Sequence, residues 1–397
     1  MRIRLRTTIV ASLFVVTACA QPRTQSPSVS SAELAAEQRK QEEIVVQDLV
    51  NDQRRLLSVG YPLLLAGADL CGDYVRRGAG FYLQGRDGFP EELRNAAERI
   101  FRFDGGYKIY YVAPGSPAAA AGLRDGDKVL SIDGKALPTT PEEMKKFREE
   151  LNTKKEAPTS YVIERDGTEM TIEIRPVSVC DYELAVNPDQ DVNAATDGET
   201  IAINQGMLRF VHNDDELALV VAHELAHDAM GHIDAQKQNA AVAGAGGLML
   251  DILAAMVGVN TGGAFMKAAA DAGQQAFSVE FEEEADYVGM YLMARAGYRI
   301  ENAPDMWRRM AAVNPDAITV AKTHPTTPER FVALTKTIEE IDRKRETSIA
   351  LMPEFKDRFE GRKRRSANLG RTAFGQSKAD SRGPGESTPP PTPTPEP

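Results

Sequence analysis

Three of the five histidines of this 397-residue chain lie within ten positions, in the stretch VVAHELAHDAMGH at residues 220–232. His223 and His227 are four residues apart, so on a helix both side chains project from one face, one turn from each other. Two imidazoles at this spacing can bind a single Zn²⁺. Glu224, next to the first histidine, would then act as the general base that activates water. The spacing therefore predicts a zinc-dependent hydrolytic site. The alternative is a charged helix with surface histidines.

The sequence around these histidines favours a buried helix. Asn213 and the two aspartates that follow it offer an N-cap and first-turn carboxylates, and no helix breaker interrupts residues 216–230. The segment is rich in leucine and valine, which predicts burial. Because burying two histidines and a glutamate without a metal or another partner is costly, the apolar helix favours the metal site over surface histidines.

The third ligand decides which kind of zinc site this is. His232 lies five residues after the second histidine, a rotation of about 500° on a continuous helix. We therefore expect it off the ligand face, supporting a ligand or ending the helix. The segment SVEFEEEADYVGM at 278–290 offers carboxylates instead, and Glu282 and Asp286 share one helix face. Glu282 is expected to complete a His₂Glu set, and Asp286 to accept the other ring N–H of a ligand histidine. Glu283 is displaced by about 100°, so it cannot bind beside Glu282. The alternative is a solvated acidic helix.

These elements resemble the HtpX-like zinc metallopeptidases, a family that includes the CaaX prenyl protease and the BepA-like periplasmic enzymes. The resemblance covers roughly residues 181–345. It implies an α+β fold with a mainly helical zincin-type peptidase domain and a small edge sheet. It also implies zinc bound by the two motif histidines and Glu282, with Glu224 as the base. The motifs, in the family's order, are Asn193-Ala194 with the strand at 200–204 and Gly206, His223-Glu224-Leu225-Ala226-His227, Glu282-x-Glu284-Ala285-Asp286, and His324-Pro325 with Arg330.

The same resemblance assigns roles that spacing alone does not. His324 is implied to lie close to the zinc, masking it or stabilising the oxyanion, and is a candidate catalytic residue. Arg330 is expected to support the ligands or to share the oxyanion role. In zincins the substrate lies extended along an edge strand, which we place at Glu199–Gln205, with backbone pairing that gives little sequence preference. Ser278-Val279 stands where the family usually has Ser-Arg, so any role of that arginine is absent here.

Residues 78–175 change character to short strand-like runs separated by glycine and proline turns. They resemble a PDZ domain of the HtrA type through the runs VAPGSPA, AGLRDGD and IDG within 112–134. The loop where such domains bind a peptide carboxylate is placed at Gly78, Ala79, Gly80 and Phe81. Backbone N–H groups of a glycine-rich turn followed by a strand suit a peptide C-terminus. A β-rich PDZ-like domain that recruits substrate or regulates is therefore predicted. The alternative is a small β-domain with structural glycines.

The PDZ-like domain is predicted to be an insertion. The family's peptidase domain normally begins with a helix that leads directly into its first strand. Here the helical part at 32–75 and the remainder at 178–350 flank a PDZ-like domain at 76–177. Cys71 and Cys180 stand at the two necks of this insertion, so we predict a disulfide between them. Closing about 110 residues would stabilise the fold by about 4–5 kcal/mol in the chain-entropy model.

The N-terminus is typical of an export signal, predicted at residues 1–18, with arginines before an apolar run too short to span a bilayer. The sequence VTAC resembles a bacterial lipobox that makes Cys19 the lipidated first residue, and Ala20 after it favours the outer membrane. A polar tether at 19–31 and a disordered proline-rich tail at 365–397 flank the fold. We therefore predict a lipid-anchored protein of the bacterial cell envelope, at the periplasmic face of the outer membrane.

Composition narrows the partners. The formal net charge of −11 argues against nucleic acid and against an anionic membrane surface, which leaves the lipid anchor as the membrane contact. The Ala/Gly-rich stretch at 240–277 carries Asp251 mid-run, so a helical hairpin packed on the protein is expected rather than a membrane span. By resemblance, the substrates would be misfolded or misassembled envelope proteins. The alternatives are a PDZ-bearing chaperone with a latent, masked metal site, and a zinc hydrolase of small molecules, which a peptide-binding module disfavours.

Overall fold

The computed structural model describes residues 24, 26–153, 157–256, 264, 267, 279–313 and 328–356. The predicted export signal, Cys19, Ser278, His324 and the proline-rich tail lie outside these residues, as does most of the second half of the 240–277 segment. Among the described helices, none is both long and apolar enough to cross a membrane.

The described residues combine helices and strands, which confirms the α+β class predicted from the sequence. The helices are α1 Ser31–Ala66, α2 Arg94–Phe101, α3 Pro117–Ala120, α4 Pro141–Thr153, α5 Gln205–Phe210, α6 Asp214–Ala229, α7 His232–Met256, α8 Val279–Ala296, α9 Ala303–Val313 and α10 Pro328–Glu346. The strands are β1 Val75–Gly78, β2 Phe81–Gln84, β3 Tyr107–Val112, β4 Lys128–Ile132, β5 Lys135–Ala136, β6 Thr159–Arg165, β7 Thr168–Ile174, β8 Val177–Cys180, β9 Glu183–Asn187, β10 Ala194–Thr196 and β11 Thr200–Asn204.

The PDZ-like part of the chain is a six-stranded antiparallel sheet in the order β2-β3-β4-β6-β7, with β5 paired to β4. The strand-like runs noted in the sequence form β2, β3, β4, β6 and β7. In β6, Thr159, Tyr161 and Ile163 are buried and their neighbours are not, which is the period-two pattern of a half-buried strand. Phe147 of α4 belongs to the same buried cluster, so this sheet has a hydrophobic core of its own.

The chain enters this sheet after β1 and leaves it before β8, and these two strands, with Cys71, form what we call the neck. Strands β1 and β8 pair antiparallel, with Val75 opposite Cys180. Beside this pair, Cys71 and Cys180 form a disulfide with their Cα atoms 5.7 Å apart. Both cysteines are fully buried in the large hydrophobic core. The neck is therefore fixed by backbone pairing and by a covalent bond.

Helix α1 contacts both parts of the molecule. Its second half, including Leu63 and Leu64, is buried in the large core that also contains α6 and α8. Its first half packs Val46 and Val50 against α2 and the phenylalanines around it. Between these contacts, Arg54 donates a hydrogen bond of 2.8 Å to the carbonyl of Tyr110 in β3. The helix α2 between β2 and β3 was not foreseen in the β-rich stretch, and it extends the contact between α1 and the PDZ-like sheet.

A second, three-stranded sheet has the order β10-β11-β9. Strand β11 is parallel to β9 and antiparallel to β10, so it lies in the centre. The expectation that Glu199–Gln205 forms the edge strand is therefore wrong. Gly198, with φ of +95°, lies in the connection that folds Ala194–Thr196 back along the outer side of β11. Strand β9 forms the opposite edge of the sheet. There the Gln53 side chain of α1 donates a hydrogen bond to the carbonyl of Leu184 and accepts one from the N–H of Val186, so α1 covers this edge. Among the described strands, β10 is thus the edge left for pairing.

Helices α6 and α8 form the centre of the large core. Every residue of α6 from Glu216 to Ala229 is buried, and Gly289 of α8 faces the backbone of α6. A Cβ atom at Gly289 would lie 3.2 Å from the backbone carbonyl of Ala222 and 3.3 Å from the nitrogen of His223. The missing side chain lets the two helices approach closely where α6 carries its histidines.

Candidate metal centre

Helix α6 holds the histidine pair. Asn213 caps the helix, since its side chain accepts a hydrogen bond of 3.0 Å from the backbone N–H of Glu216. His223 and His227 project from one face, and their Nε2 atoms lie 3.1 Å apart. Their exposed fractions are 1% and 0%, so they are not surface histidines.

Helix α8 brings a carboxylate to the same point. Glu282 Oε2 lies 3.4 Å from His223 Nε2, and Glu282 Oε1 lies 3.3 Å from His227 Nε2. Glu282 is fully buried, and one ligand atom from each of the three residues lies within 4.8 Å of the others. The structure thus brings together the three residues that the sequence proposed as ligands, two on one helix and one on another.

Asp286 and Arg330 surround this cluster. Asp286 Oδ1 lies 3.0 Å from His223 Nδ1, as the i, i+4 spacing from Glu282 suggested. Arg330 of α10 donates from Nε to Asp286 Oδ2 at 2.8 Å, and its Nη1 lies 2.9 Å from Glu282 Oε2. Because the guanidinium already contacts two carboxylates, its geometry fits a residue that positions Asp286 and Glu282 and disfavours the oxyanion role.

The charged side chains around His223 and His227 favour the binding of a cation. Burial alone would lower the pKa of His223, but the carboxylates of Asp286 and Glu282 outweigh it and raise this pKa to about 10 without a metal. Burial opposes ionisation of Asp286, yet the charge of Arg330 and the hydrogen bond to His223 lower the pKa of this carboxyl. Two carboxylates against one guanidinium leave an excess of negative charge. The residues therefore fit Zn²⁺, which prefers imidazole nitrogen and carboxylate oxygen in buried sites.

His232 is not one of the three clustered ligands and contacts His227, which is one of the two roles that its spacing suggested. Helix α6 ends at Ala229, and Gly231, with φ of +75°, turns the chain into α7. The rotation expected for His232 holds only on a continuous helix, which the chain does not form here. After the turn, His232 is buried with its Nδ1 3.0 Å from His227 Nδ1. It contacts a predicted ligand and lies on the opposite side of that imidazole from Glu282.

Trp307 of α9 is a residue of this site that the sequence did not indicate. Its ring centroid lies 5.3 Å from that of His223 in an edge-on arrangement, and the Arg330 guanidinium lies 5.7 Å from its ring centroid. The indole covers one side of the His223–Arg330 network. A single tryptophan in an amphipathic helix carries no sequence signal for such a position.

Glu224 and the edge strand lie beside the histidines. The Glu224 side chain is buried, with 2% of its surface exposed. From the same helix, Asp228 accepts a hydrogen bond of 2.7 Å from the hydroxyl of Thr196 in β10. This bond fixes the edge strand against the helix that carries the histidines and the glutamate.

The predicted carboxylate-binding loop lies in the PDZ-like sheet, between β1 and β2. Gly80 has φ of +80°, and a Cβ atom there would lie 2.2 Å from Ser116 Cβ, so a glycine is required. The carbonyl of Gly80 accepts a hydrogen bond of 2.7 Å from Ala113, and that of Ala79 accepts one of 2.9 Å from Ala118. These bonds hold the loop carbonyls against the turn that leads into α3.

Two stretches of the chain match profiles of known protein families. Residues 163–338 match the family profile described as Peptidase family M48, and residues 108–165 match that of a PDZ domain. The mitochondrial metalloendopeptidase OMA1 of Schizosaccharomyces pombe is 30% identical over 196 residues, which are 48% of this chain and 56% of that protein. A putative beta-barrel assembly-enhancing protease of Vibrio cholerae is 33% identical over 131 residues, which are 31% of this chain and 27% of that protein. The chain therefore spans about half the length of the first relative and about a quarter of the second.

The crystal structure of the HtrA3 PDZ domain bound to a phage-derived ligand is 20% identical, with a TM-score of 0.21, and the match covers 26% of this chain and 89% of that one. The family matches confirm the two predicted domain types: this chain carries a peptidase domain of family M48 joined to a PDZ domain.

Proposed function

We propose that this chain is a zinc-dependent endopeptidase in which His223, His227 and Glu282 bind the metal. The observation that carries this proposal is their buried cluster, where two imidazole nitrogens and a carboxylate converge. A solvated acidic helix or a pair of surface histidines would not account for complete burial of all three side chains. The match of the surrounding chain to a peptidase family supports the same conclusion.

The metal and the residues around it would have separate roles in hydrolysis. Zn²⁺, when bound, would polarise the scissile carbonyl as a Lewis acid. Glu224 would take a proton from the attacking water and return it to the leaving amine. Asp286 accepts the Nδ1–H of His223 and so keeps the Nε2 lone pair of that ring available as a ligand. Arg330 holds Asp286 and Glu282 in place.

A polypeptide substrate would pair with β10. This strand is the open edge of the small sheet among the described strands, and Thr196 bonds it to the histidine-bearing helix. Backbone pairing presents an extended peptide with little dependence on its side chains. His324 remains our candidate for stabilising the oxyanion or masking the metal.

We further propose that the PDZ domain recruits substrates or a regulator by binding chain ends at the loop Gly78–Phe81. The sequence of the first 19 residues supports lipidation at Cys19 and a place in the bacterial envelope, at the periplasmic face of the outer membrane. The similarity to a protein named as beta-barrel assembly-enhancing protease supports unfolded or misassembled envelope proteins as substrates.

The decisive experiment compares the wild type with Glu224→Gln for zinc content and for cleavage of an unfolded protein. We expect equal zinc content and loss of cleavage, because the substitution removes the base and keeps the ligands. The matched pair Glu282→Ala and Glu283→Ala tests the third ligand, and only the first should lose zinc. A zinc-loaded wild type that prevents aggregation without cutting would support the chaperone alternative instead.

A further inference from the structure

We propose that His232 and Glu284 form a relay that positions the ligand His227. This inference rests on the proposed zinc site. It gives His232, for which the sequence left open support of a ligand or the end of the helix, a defined partner at each nitrogen, and it assigns a role to Glu284. His232 Nδ1 lies 3.0 Å from His227 Nδ1, and His232 Nε2 lies 2.8 Å from Glu284 Oε2. The three side chains thus form one continuous line of hydrogen bonds that leads away from the metal centre.

The donor and acceptor of each bond follow from metal binding. If His227 binds a metal through Nε2, its ring proton must be on Nδ1. That N–H then donates to His232 Nδ1, which places the proton of His232 on Nε2, where it donates to Glu284. One arrangement of protons therefore satisfies every nitrogen in the line. Because both nitrogens of His232 are used, this residue is not itself a ligand.

Helix α8 contacts His232 through Phe281 as well as through Glu284. The ring of His232 stacks on Phe281 with centroids 4.5 Å apart and planes 14° apart. Phe281 and Glu284 are three residues apart and so lie on one side of α8, next to the side that carries Glu282. His232 is buried, which fixes its ring between the stacking contact and the hydrogen bond.

The relay gives the two ligand histidines equivalent support. His223 has Asp286 directly at its Nδ1, whereas His227 reaches the carboxylate of Glu284 through His232. An acceptor behind a ligand imidazole fixes its tautomer and ring orientation and raises its basicity toward the metal. One helix, α8, would therefore supply a ligand and the acidic ends of both supporting networks.

The test measures zinc affinity of the full chain by competition with a chelator, and thermal unfolding of the metal-free protein. His232→Phe keeps the stacking on Phe281 but removes both hydrogen bonds, so it should weaken zinc binding about 10–100-fold. Glu284→Ala should also weaken it. His232→Asn, which can place an acceptor near the former Nδ1 position, should bind zinc more tightly than His232→Phe. Glu283→Ala is the matched control on the same helix and should leave the affinity unchanged.

Zinc affinity close to wild type in a folded His232→Phe variant would overturn the relay. If His232→Phe fails to fold, an unchanged affinity in Glu284→Ala overturns it instead. Equal weakening in His232→Asn and His232→Phe would contradict the hydrogen-bond argument. These readouts need no substrate, so a wild type that binds zinc but cuts nothing would refute the endopeptidase proposal alone.

Discussion

The disulfide at the neck allows a stability prediction of definite size. Cys71 and Cys180 are 109 residues apart in sequence and fully buried. In the chain-entropy model, a cross-link that closes a loop of this length lowers the entropy of the unfolded chain enough to stabilise the native state by about 5 kcal/mol. This value applies if the PDZ domain unfolds together with the peptidase domain. If the PDZ domain stays folded, the pairing of β1 with β8 already keeps the cysteines together, and the cross-link contributes little.

The assay is urea unfolding of the oxidised and the reduced wild type, which differ in the cross-link and not in side-chain volume. Trp307 is the single tryptophan of the chain and lies beside His223, so its fluorescence reports the peptidase domain. Far-ultraviolet circular dichroism reports both domains. When the two signals change together, we expect reduction to lower the free energy of unfolding by about 4–5 kcal/mol. The Cys71→Ala/Cys180→Ala variant should resemble the reduced protein.

One result would refute this reasoning. It is a single transition, coincident in both signals, whose free energy changes by less than about 1 kcal/mol on reduction, against the several kcal/mol expected for a loop of this length. Two separate transitions, with reduction affecting neither, would show instead that the PDZ domain unfolds on its own and that the neck pairing alone holds the cysteines together.

Three further predictions concern single residues. Gly231→Ala places a side chain at positive φ, so we expect about 1–2 kcal/mol lower stability in urea and weaker zinc binding as the following turn of α7 shifts. Gly289→Val would push α8 away from the backbone of Ala222, with about 1–3 kcal/mol lost and reduced zinc content by metal analysis. Burial raises the pKa of Glu216, but the hydrogen bonds from Arg309 and the backbone of His212, together with the charge of Arg309, outweigh it and keep this pKa below 4.5. The stability that this carboxylate contributes is therefore complete above pH 4.5 and lost as the pH falls further, and urea midpoints of Glu216→Gln should fall less over that range than those of the wild type.

The sequence was sufficient for the residues of the metal centre because helix periodicity converts spacing into geometry. Four-residue intervals placed His223 with His227 and Glu282 with Asp286, and burial follows from the apolar residues between them. Which carboxylate faces the histidines depends on how two helices pack. Spacing made Glu282 a candidate with Asp286 one turn further on, and the resemblance to a peptidase family implied the same residue. Local patterns were enough here because each half of the cluster lies on one helix.

Features that depend on a single backbone turn or on distant packing were not predictable in this way. His232 lies off the ligand face, as its spacing suggested, but its contact with His227 depends on one left-handed residue, Gly231, which follows the end of α6 and turns the chain. The sequence does not show that β11 is a central strand, because the three residues of β10 are too short for a recognisable alternation. Trp307 reaches His223 from a helix 84 positions later in the chain, and no local pattern reports such a contact.

Helix α1 has a consequence for the selection of substrates. It is shared by both domains: its first half packs on α2, Arg54 bonds β3, and its second half lies in the peptidase core. A domain held at several points along a helix does not sample the range of positions that a flexible linker permits. Under the proposed function, a chain end held by the PDZ domain would reach the zinc only if the segment between them spans a fixed gap, at about 3.3–3.6 Å per extended residue. The molecule would then cleave only polypeptides whose unfolded end is long enough to span this gap, and it would leave those with shorter ends intact.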